Sequence, residues 1–195
     1  MLWIVQGIGE NAMVLKSKKI SKKMVVFMAT ALATLACGTT PLAAYLDEPT
    51  TPLQVGRHDR EYLLYQGKSG PAPVIIVLHG PYGSIRGAKK LGFENLADTE
   101  GFSVVYPRGT DKQWMDGRHN EFAQNFRSVD DIAFLKTLIE KLIADKVADP
   151  ERIYVVGFST GDIMAYRAAC EMSKQLAGIA AVAASMPLGY EYICK

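Results

Sequence analysis

The stretch "DPERIYVVGFSTG", residues 149–161, runs from an apolar segment straight into a G-x-S-x-G pentapeptide, Gly157 to Gly161. Residues 160–174 then read as a helix. A serine set between a buried strand and a helix is the context in which this pentapeptide carries chemistry. Such a turn is sharp enough to strain the backbone at Ser159, and side chains at Gly157 and Gly161 would strike the neighbouring elements. The hydroxyl is thereby held out at the end of the strand. The helix points its N-terminal N–H groups at the same place, where negative charge develops when an ester is cleaved. The N–H of Thr160 is expected to be one oxyanion donor. The competing reading is a chance match of a short pattern, and the strand–turn–helix setting weighs against it.

Working outward, the same alternation recurs. "VIIVLHG", 74–80, is an apolar run ending in glycine, and Leu91, Phe93, Leu96 and Ala97 mark a helix over 87–99. "FSVVYP", 102–107, is a second run, followed by a polar loop over 108–127. Ser128 and Asp131 open the next helix as S-x-x-D, with Ile132, Leu135, Leu138, Ile139 and Leu142 as its apolar stripe. "IAAVAAS", 179–185, is a fourth run. Ahead of all these, "LQVGRHDREYLLYQG", 53–67, predicts a hairpin turning at "HDR". Apolar strands alternating with helices imply an α/β fold with a mostly parallel sheet covered on both faces. Right-handed crossovers then put the C-terminal ends of the strands on one rim, where ligands bind.

The other candidate residues follow from that rim. "LHGPYG", 78–83, ends the first parallel strand, where a second oxyanion donor is expected. The residue after His79-Gly80 is Pro81, which has no N–H, so either the oxyanion hole loses one donor or the loop shifts to offer Tyr82 instead. A lost donor costs about 3 kcal/mol of transition-state stabilisation. His79 either shapes this loop or lines the substrate cleft, and Trp114 and Asp116 in "QWMDGR" either line the cleft or fold their own loop. His58 falls in the hairpin, away from the serine, whereas His119 lies in a loop on the correct rim. Asp130 and Asp131 are explained by their place before an apolar helix, as N-terminal caps. No Cys/His cluster has metal-ligand spacing and no phosphate loop is present, so neither metal nor cofactor is expected.

The N-terminus reads as an address. Lys16, Lys18, Lys19, Lys22 and Lys23 precede the uncharged run "MVVFMATALATLAC", 24–37, and small residues in "PLAAY" offer cleavage after Ala44. The run is shorter than the ~20 residues a bilayer span needs. Residues 1–44 are therefore expected to be a signal peptide, 1–12 a misassigned start ahead of Met13, and 45–52 a linker, with the domain over 53–195. Lipidation at Cys37 is the alternative to simple cleavage. Export permits a disulfide between Cys170 and Cys194, against two unpaired thiols as the other reading. The first 44 residues hold five lysines and one acid, leaving 17 basic and 19 acidic residues in the rest of the chain. A domain near −2 with no basic stripe is a poor nucleic-acid binder.

Beyond the pentapeptide, "REYLLYQ", "PVIIVLHGPYGS", "GFSVVYPRGT", "QWMDGR", "VDDIAFLKTLIEKL", "DPERIYVVGFSTG" and "MAYRAACE" span about 60–185 in order. In these the chain resembles the secreted esterases that include polyhydroxybutyrate depolymerases and feruloyl and acetyl-xylan esterases. The resemblance implies an α/β-hydrolase sheet, Ser159 as nucleophile, an aspartate after a further strand and a histidine near the C-terminus. None of the 34 residues after Gly161 is a histidine, so the sheet is expected to be incomplete, lacking its C-terminal strands, with an exposed edge at 179–185. The chain also departs from the family at Pro81, where glycine or cysteine is usual, and at Asp162, where glycine is usual. Removing a triad member costs ~10⁴–10⁶-fold in turnover, so little activity is expected of the chain as it stands. Three readings remain open: a secreted serine esterase acting on a polymeric or polysaccharide-linked ester, a non-catalytic exported protein that binds such an ester on the same scaffold, and a degraded coding region with no stable product.

Overall fold

The computed structural model describes residues 4–6, 13–14, 49–118, 121–190 and 194. Its strands are β1 (Ile4–Gln6), β2 (Met13–Val14), β3 (Thr51–Val55), β4 (His58–Gln66), β5 (Ala72–Leu78), β6 (Ser103–Pro107), β7 (Ala148–Phe158) and β8 (Gly178–Val182). Its helices are α1 (Ile85–Lys89), α2 (Phe93–Glu100), α3 (Glu121–Asn125), α4 (Asp131–Ala144) and α5 (Thr160–Glu171). One sheet takes the order β2-β1-β8-β7-β5-β6-β4-β3. From β1 through β8, β7 and β5 to β6 the pairing is parallel, and β2, β4 and β3 join antiparallel. This is the mostly parallel α/β sheet that the alternating pattern implies.

The continuous apolar runs are explained by burial on both faces. In β5, Val74, Ile76 and Leu78 point into a core with Phe134, Leu135 and Leu138 of α4 and Met164, Ala165 and Ala168 of α5. Ile75 and Val77 point the other way, against Ile85 and Ala88 of α1 and Phe93 and Ala97 of α2. Successive residues of a strand alternate faces, so a strand covered twice must be apolar throughout.

Several element boundaries depart from the sequence reading. The hairpin turns at Gly56-Arg57, with Gly56 at φ 57°, so "HDR" starts β4 instead of forming the turn. A left-handed glycine suits a tight turn better than three polar residues do. β3 begins at Thr51, inside the expected linker. The single helix expected over 87–99 is two, broken at Gly92, whose φ is 77°. The loop after β6 contains the short helix α3. The helix after Ser159 stops at Glu171, before the predicted end. β8 is not the open edge expected: Ile4–Gln6 pairs with it, Val5 opposite Ala180. The leader expected over 1–44 is described only at β1 and β2, and Cys37 lies outside the described residues.

Chain order matters for the site. β5 runs to β6 on one side, and the chain then returns through α4 to β7 on the other. The connections leaving β5 and β7 therefore diverge to opposite sides, opening a crevice above their C-terminal ends. Ser159 and the His79–Gly83 turn both leave the sheet at this point.

Candidate active site

Ser159 is the residue between β7 and α5, with φ 56° and ψ −116°. A residue carrying a β-carbon rarely occupies that region, and it persists only where its surroundings hold it. Three contacts do so. The Ser159 N–H donates to the Val182 carbonyl at the end of β8 (2.8 Å), and the Ser159 carbonyl accepts from Asp162 N (3.0 Å) and Ile163 N (3.3 Å). The flanking glycines allow the close approach that this needs. A β-carbon at Gly157 would overlap the backbone of Gly161, and one at Gly161 would overlap the carbonyl of Leu78 and lie 2.6 Å from that of His79. The steric reason inferred for both glycines is thus the one the packing displays.

The facing wall is the turn after β5. Gly83 N–H donates to the Gly80 carbonyl (3.0 Å), closing a four-residue turn with Pro81 second and Tyr82 third. Proline's fixed φ suits the second position, while the positive φ of Tyr82, 51°, is the conformation that favours glycine. A β-carbon added at Gly80 would lie 3.5 Å from the Ser159 β-carbon, so this turn packs directly on the elbow. The Tyr82 side chain is 79% exposed.

Of the two roles open to His79 and Trp114, loop-shaping or cleft-lining, the structure has the first: both are interior, 3% and 2% exposed. His79 is fully engaged: Gly109 N–H donates to Nε2 (3.0 Å), which leaves Nδ1 to carry the proton toward the Gly80 carbonyl (2.8 Å). Burial pushes its pKa below the ordinary histidine value, against the Gly80 carbonyl, which favours the charged form. The Trp114 indole N–H donates to the His79 carbonyl (2.9 Å), and the two rings lie 4.8 Å apart. His79 is therefore a neutral pin between two loops, with no lone pair left for Ser159. Gly109 completes it, because a β-carbon there would overlap the Gln113 carbonyl and press on the His79 ring.

Asp130 caps α4 as expected, accepting from Ala133 N (3.0 Å). Asp131 is not a cap. Its side chain is fully buried, pairs with Arg60 Nη2 (2.6 Å) and accepts from Met115 N (2.6 Å). Asp116 is likewise buried and folds its own loop, accepting from Arg118. Tyr190 donates its hydroxyl to the Asp116 carbonyl, and Arg167 of α5 donates to the Met115 carbonyl. Cys170 of α5 and Cys194 are joined as a disulfide.

Asp162 was not among the candidate site residues. It is fully buried in the first turn of α5, and its Oδ2 accepts from Ala184 N (2.6 Å). Its Oδ1, like Thr160 Oγ1 and the Tyr166 hydroxyl, has no hydrogen-bond partner. Burial pushes the Asp162 pKa up to about 7, opposed by the Ala184 N–H. The signal was in the sequence as an acid in place of a usual glycine, with nothing to say what it would meet.

His58 opens β4, and Tyr62 pairs with Pro107 at the C-terminal end of β6. The antiparallel strand thus begins at the reactive rim, not on another part of the architecture. It stands three strand positions from β7, roughly 14 Å at ordinary sheet spacing. His119 lies outside the described residues. Among the described residues, then, neither His58 nor His79 is placed to take a proton from Ser159. No group of three or more His, Cys, Asp or Glu is placed to hold a metal ion among them.

Comparison with known proteins gives the family and the fold. Residues 63–192 match the family described as Phospholipase/Carboxylesterase. NocK of Nocardia uniformis subsp. tsuyamanensis, an esterase by name, is 31% identical over 150 residues, covering 72% of this chain and 43% of its own. Poly(3-hydroxyalkanoate) depolymerase C of Paucimonas lemoignei is 28% identical over 124 residues, covering 60% of this chain and 29% of its own. The chain thus spans less than half the length of either curated relative. The crystal structure of a thermostable esterase shares the fold, with a TM-score of 0.58 and 17% identity over 74% of this chain and 43% of its own.

Proposed function

The chain belongs to the phospholipase/carboxylesterase family, and from that premise we propose that it is an exported carboxylic-ester hydrolase working by acyl transfer through Ser159. The observation that carries the reading is the backbone of Ser159, φ 56° and ψ −116°, held between β7 and α5 with the β5 turn packed against it. Strain of this kind is kept where it holds a group in a reactive position. Ser159 Oγ attacks the ester carbonyl, the carbonyl–alkoxy bond breaks, and the serine proton leaves on the alcohol. Water then cleaves the acyl-serine to the acid. The Thr160 N–H, at the start of α5, is the proposed oxyanion donor, with Tyr82 N–H opposite. The resemblance points to polymeric or polysaccharide-linked esters as substrates.

A serine hydroxyl is protonated at neutral pH and needs a base. With neither His58 nor His79 in reach, we expect the 195-residue chain to hydrolyse p-nitrophenyl acetate no faster than Ser159→Ala. Added imidazole supplies a base from solution. It should raise the rate of the wild-type chain above that of Ser159→Ala under the same conditions. Equal rates with imidazole would overturn the assignment of Ser159. A Ser159-dependent rate without imidazole, lost in His119→Ala, would instead place the base at His119.

A further inference from the structure

We propose that Asp162 is a positioning residue for Ser159: its carboxylate, enclosed between the first turn of α5 and the backbone leaving β8, holds the strand end that anchors the serine. This rests on the assignment of Ser159 above. The geometry forms a closed circuit. Ser159 N–H is bound by the Val182 carbonyl (2.8 Å), the next residue, Ala183, has φ 71°, and the one after, Ala184, gives its N–H to Asp162 Oδ2 (2.6 Å). Asp162 in turn donates its own N–H to the Ser159 carbonyl (3.0 Å). Five residues thus close a ring around the elbow, and two of them, Ser159 and Ala183, hold backbone angles that L-residues avoid.

The left-handed alanine is the informative member. Alanine has no side chain with which to stabilise that conformation, so it must be held from both ends. One end is Val182, hydrogen-bonded to Ser159, and the other is Ala184, hydrogen-bonded to Asp162. Releasing Ala184 lets Ala183 return to an ordinary extended conformation. That rotation swings the Val182 carbonyl away from Ser159 and frees the serine to relax in turn. The carboxylate is an expensive way to hold a turn, because it is fully buried and its Oδ1 has no partner. A glycine at 162 would avoid that cost and would remove the Asp162 Oδ2 contact to the Ala184 N–H. Neither core packing nor capping explains the acid, and the ring does.

The test is amide hydrogen exchange on the full chain, comparing wild type with Asp162→Ala and Asp162→Asn. In Asp162→Ala the Ser159 and Ala184 amides should exchange at least tenfold faster, while those of Ile76 and Val155 in the central strands keep their protection. Asp162→Asn retains an acceptor oxygen and should restore most of the protection at both sites. The imidazole-assisted, Ser159-dependent ester cleavage described above should fall at least tenfold in Asp162→Ala and recover in Asp162→Asn. An Asp162→Ala protein whose Ser159 amide exchanges at the wild-type rate would overturn the proposal. So would faster exchange spread evenly over the central strands. If even the wild-type chain shows no Ser159-dependent cleavage, the esterase reading fails, and the exchange result still decides the role of Asp162.

Discussion

At the scale of single residues, two buried ionisable groups beside the elbow act in opposite senses. His79 is held neutral with its pKa lowered, so the unfolded chain binds the extra proton and stability from this group falls as pH drops below the ordinary histidine value. Asp162 has its pKa raised from 3.8 to about 7, so here the folded chain binds the extra proton. Its contribution is most favourable below the unfolded value and is lost as pH rises through about 4 to 7. Asp162→Asn removes this titration and leaves that of His79. The stability of wild type minus that of Asp162→Asn should therefore fall by roughly 2–3 kcal/mol between pH 5 and pH 8. Urea unfolding of the two proteins at both pH values measures it, and a difference that does not change with pH would show that Asp162 is charged or solvated in the same way in both states. At pH 8 the charged carboxylate lowers stability while it holds Ala184, a trade that active-site residues commonly show.

At the scale of elements, the N-terminus of α4 joins three parts of the sheet's rim. Asp131 lies on the buried face of the helix beside Ile132 and Leu135, pairs with Arg60 of β4 and accepts from Met115 in the loop after β6. The Arg60 guanidinium also donates to the Arg108 carbonyl (3.1 Å) and sits 4.0 Å over the Phe134 ring. Removing one partner of such a pair strands the other charge in the core. Asp131→Ala should cost about 3–5 kcal/mol in chemical denaturation, and Arg60→Met in the same background should recover part of it. Equal stability of Asp131→Ala and wild type would mean that water reaches the pair. Through Met115 the same carboxylate fixes the segment carrying Trp114, which bonds the His79 carbonyl. The start of α4 is thus linked through Met115 and Trp114 to His79, the residue that leads into the turn packed on Ser159.

At the scale of the molecule, the C-terminal stretch closes the structure over α5. Tyr190 is buried and bonds the Asp116 carbonyl, and the bridge from Cys170 to Cys194 spans 24 residues that include all of β8. Constraining a loop of this length in the unfolded chain contributes about 3 kcal/mol. Cys170→Ser with Cys194→Ser should lower the thermal midpoint accordingly and raise amide exchange at Met115 to Gly117. A midpoint equal to that of wild type measured under non-reducing conditions would mean that the two thiols do not pair in solution.

The chain by itself determined the four apolar runs and the mostly parallel sheet they form, because burial on both faces demands unbroken apolar stretches and strand–helix alternation demands parallel pairing. It also determined the glycines around Ser159, since the pentapeptide records a close approach that only the absence of a side chain permits. Residues whose role depends on what faces them were not legible in this way. Asp131 follows Asp130 in sequence, yet one caps a helix in water and the other is paired in the core, a difference of one position around a helical turn. His79 and Trp114 carry the types expected of a cleft, and the strand order turned them inward. Asp162 met Ala184 only because β8 ends beside α5. Local pattern follows from covalent spacing and apolar periodicity, whereas ion pairs and long-range hydrogen bonds arise where the sheet order brings distant loops together.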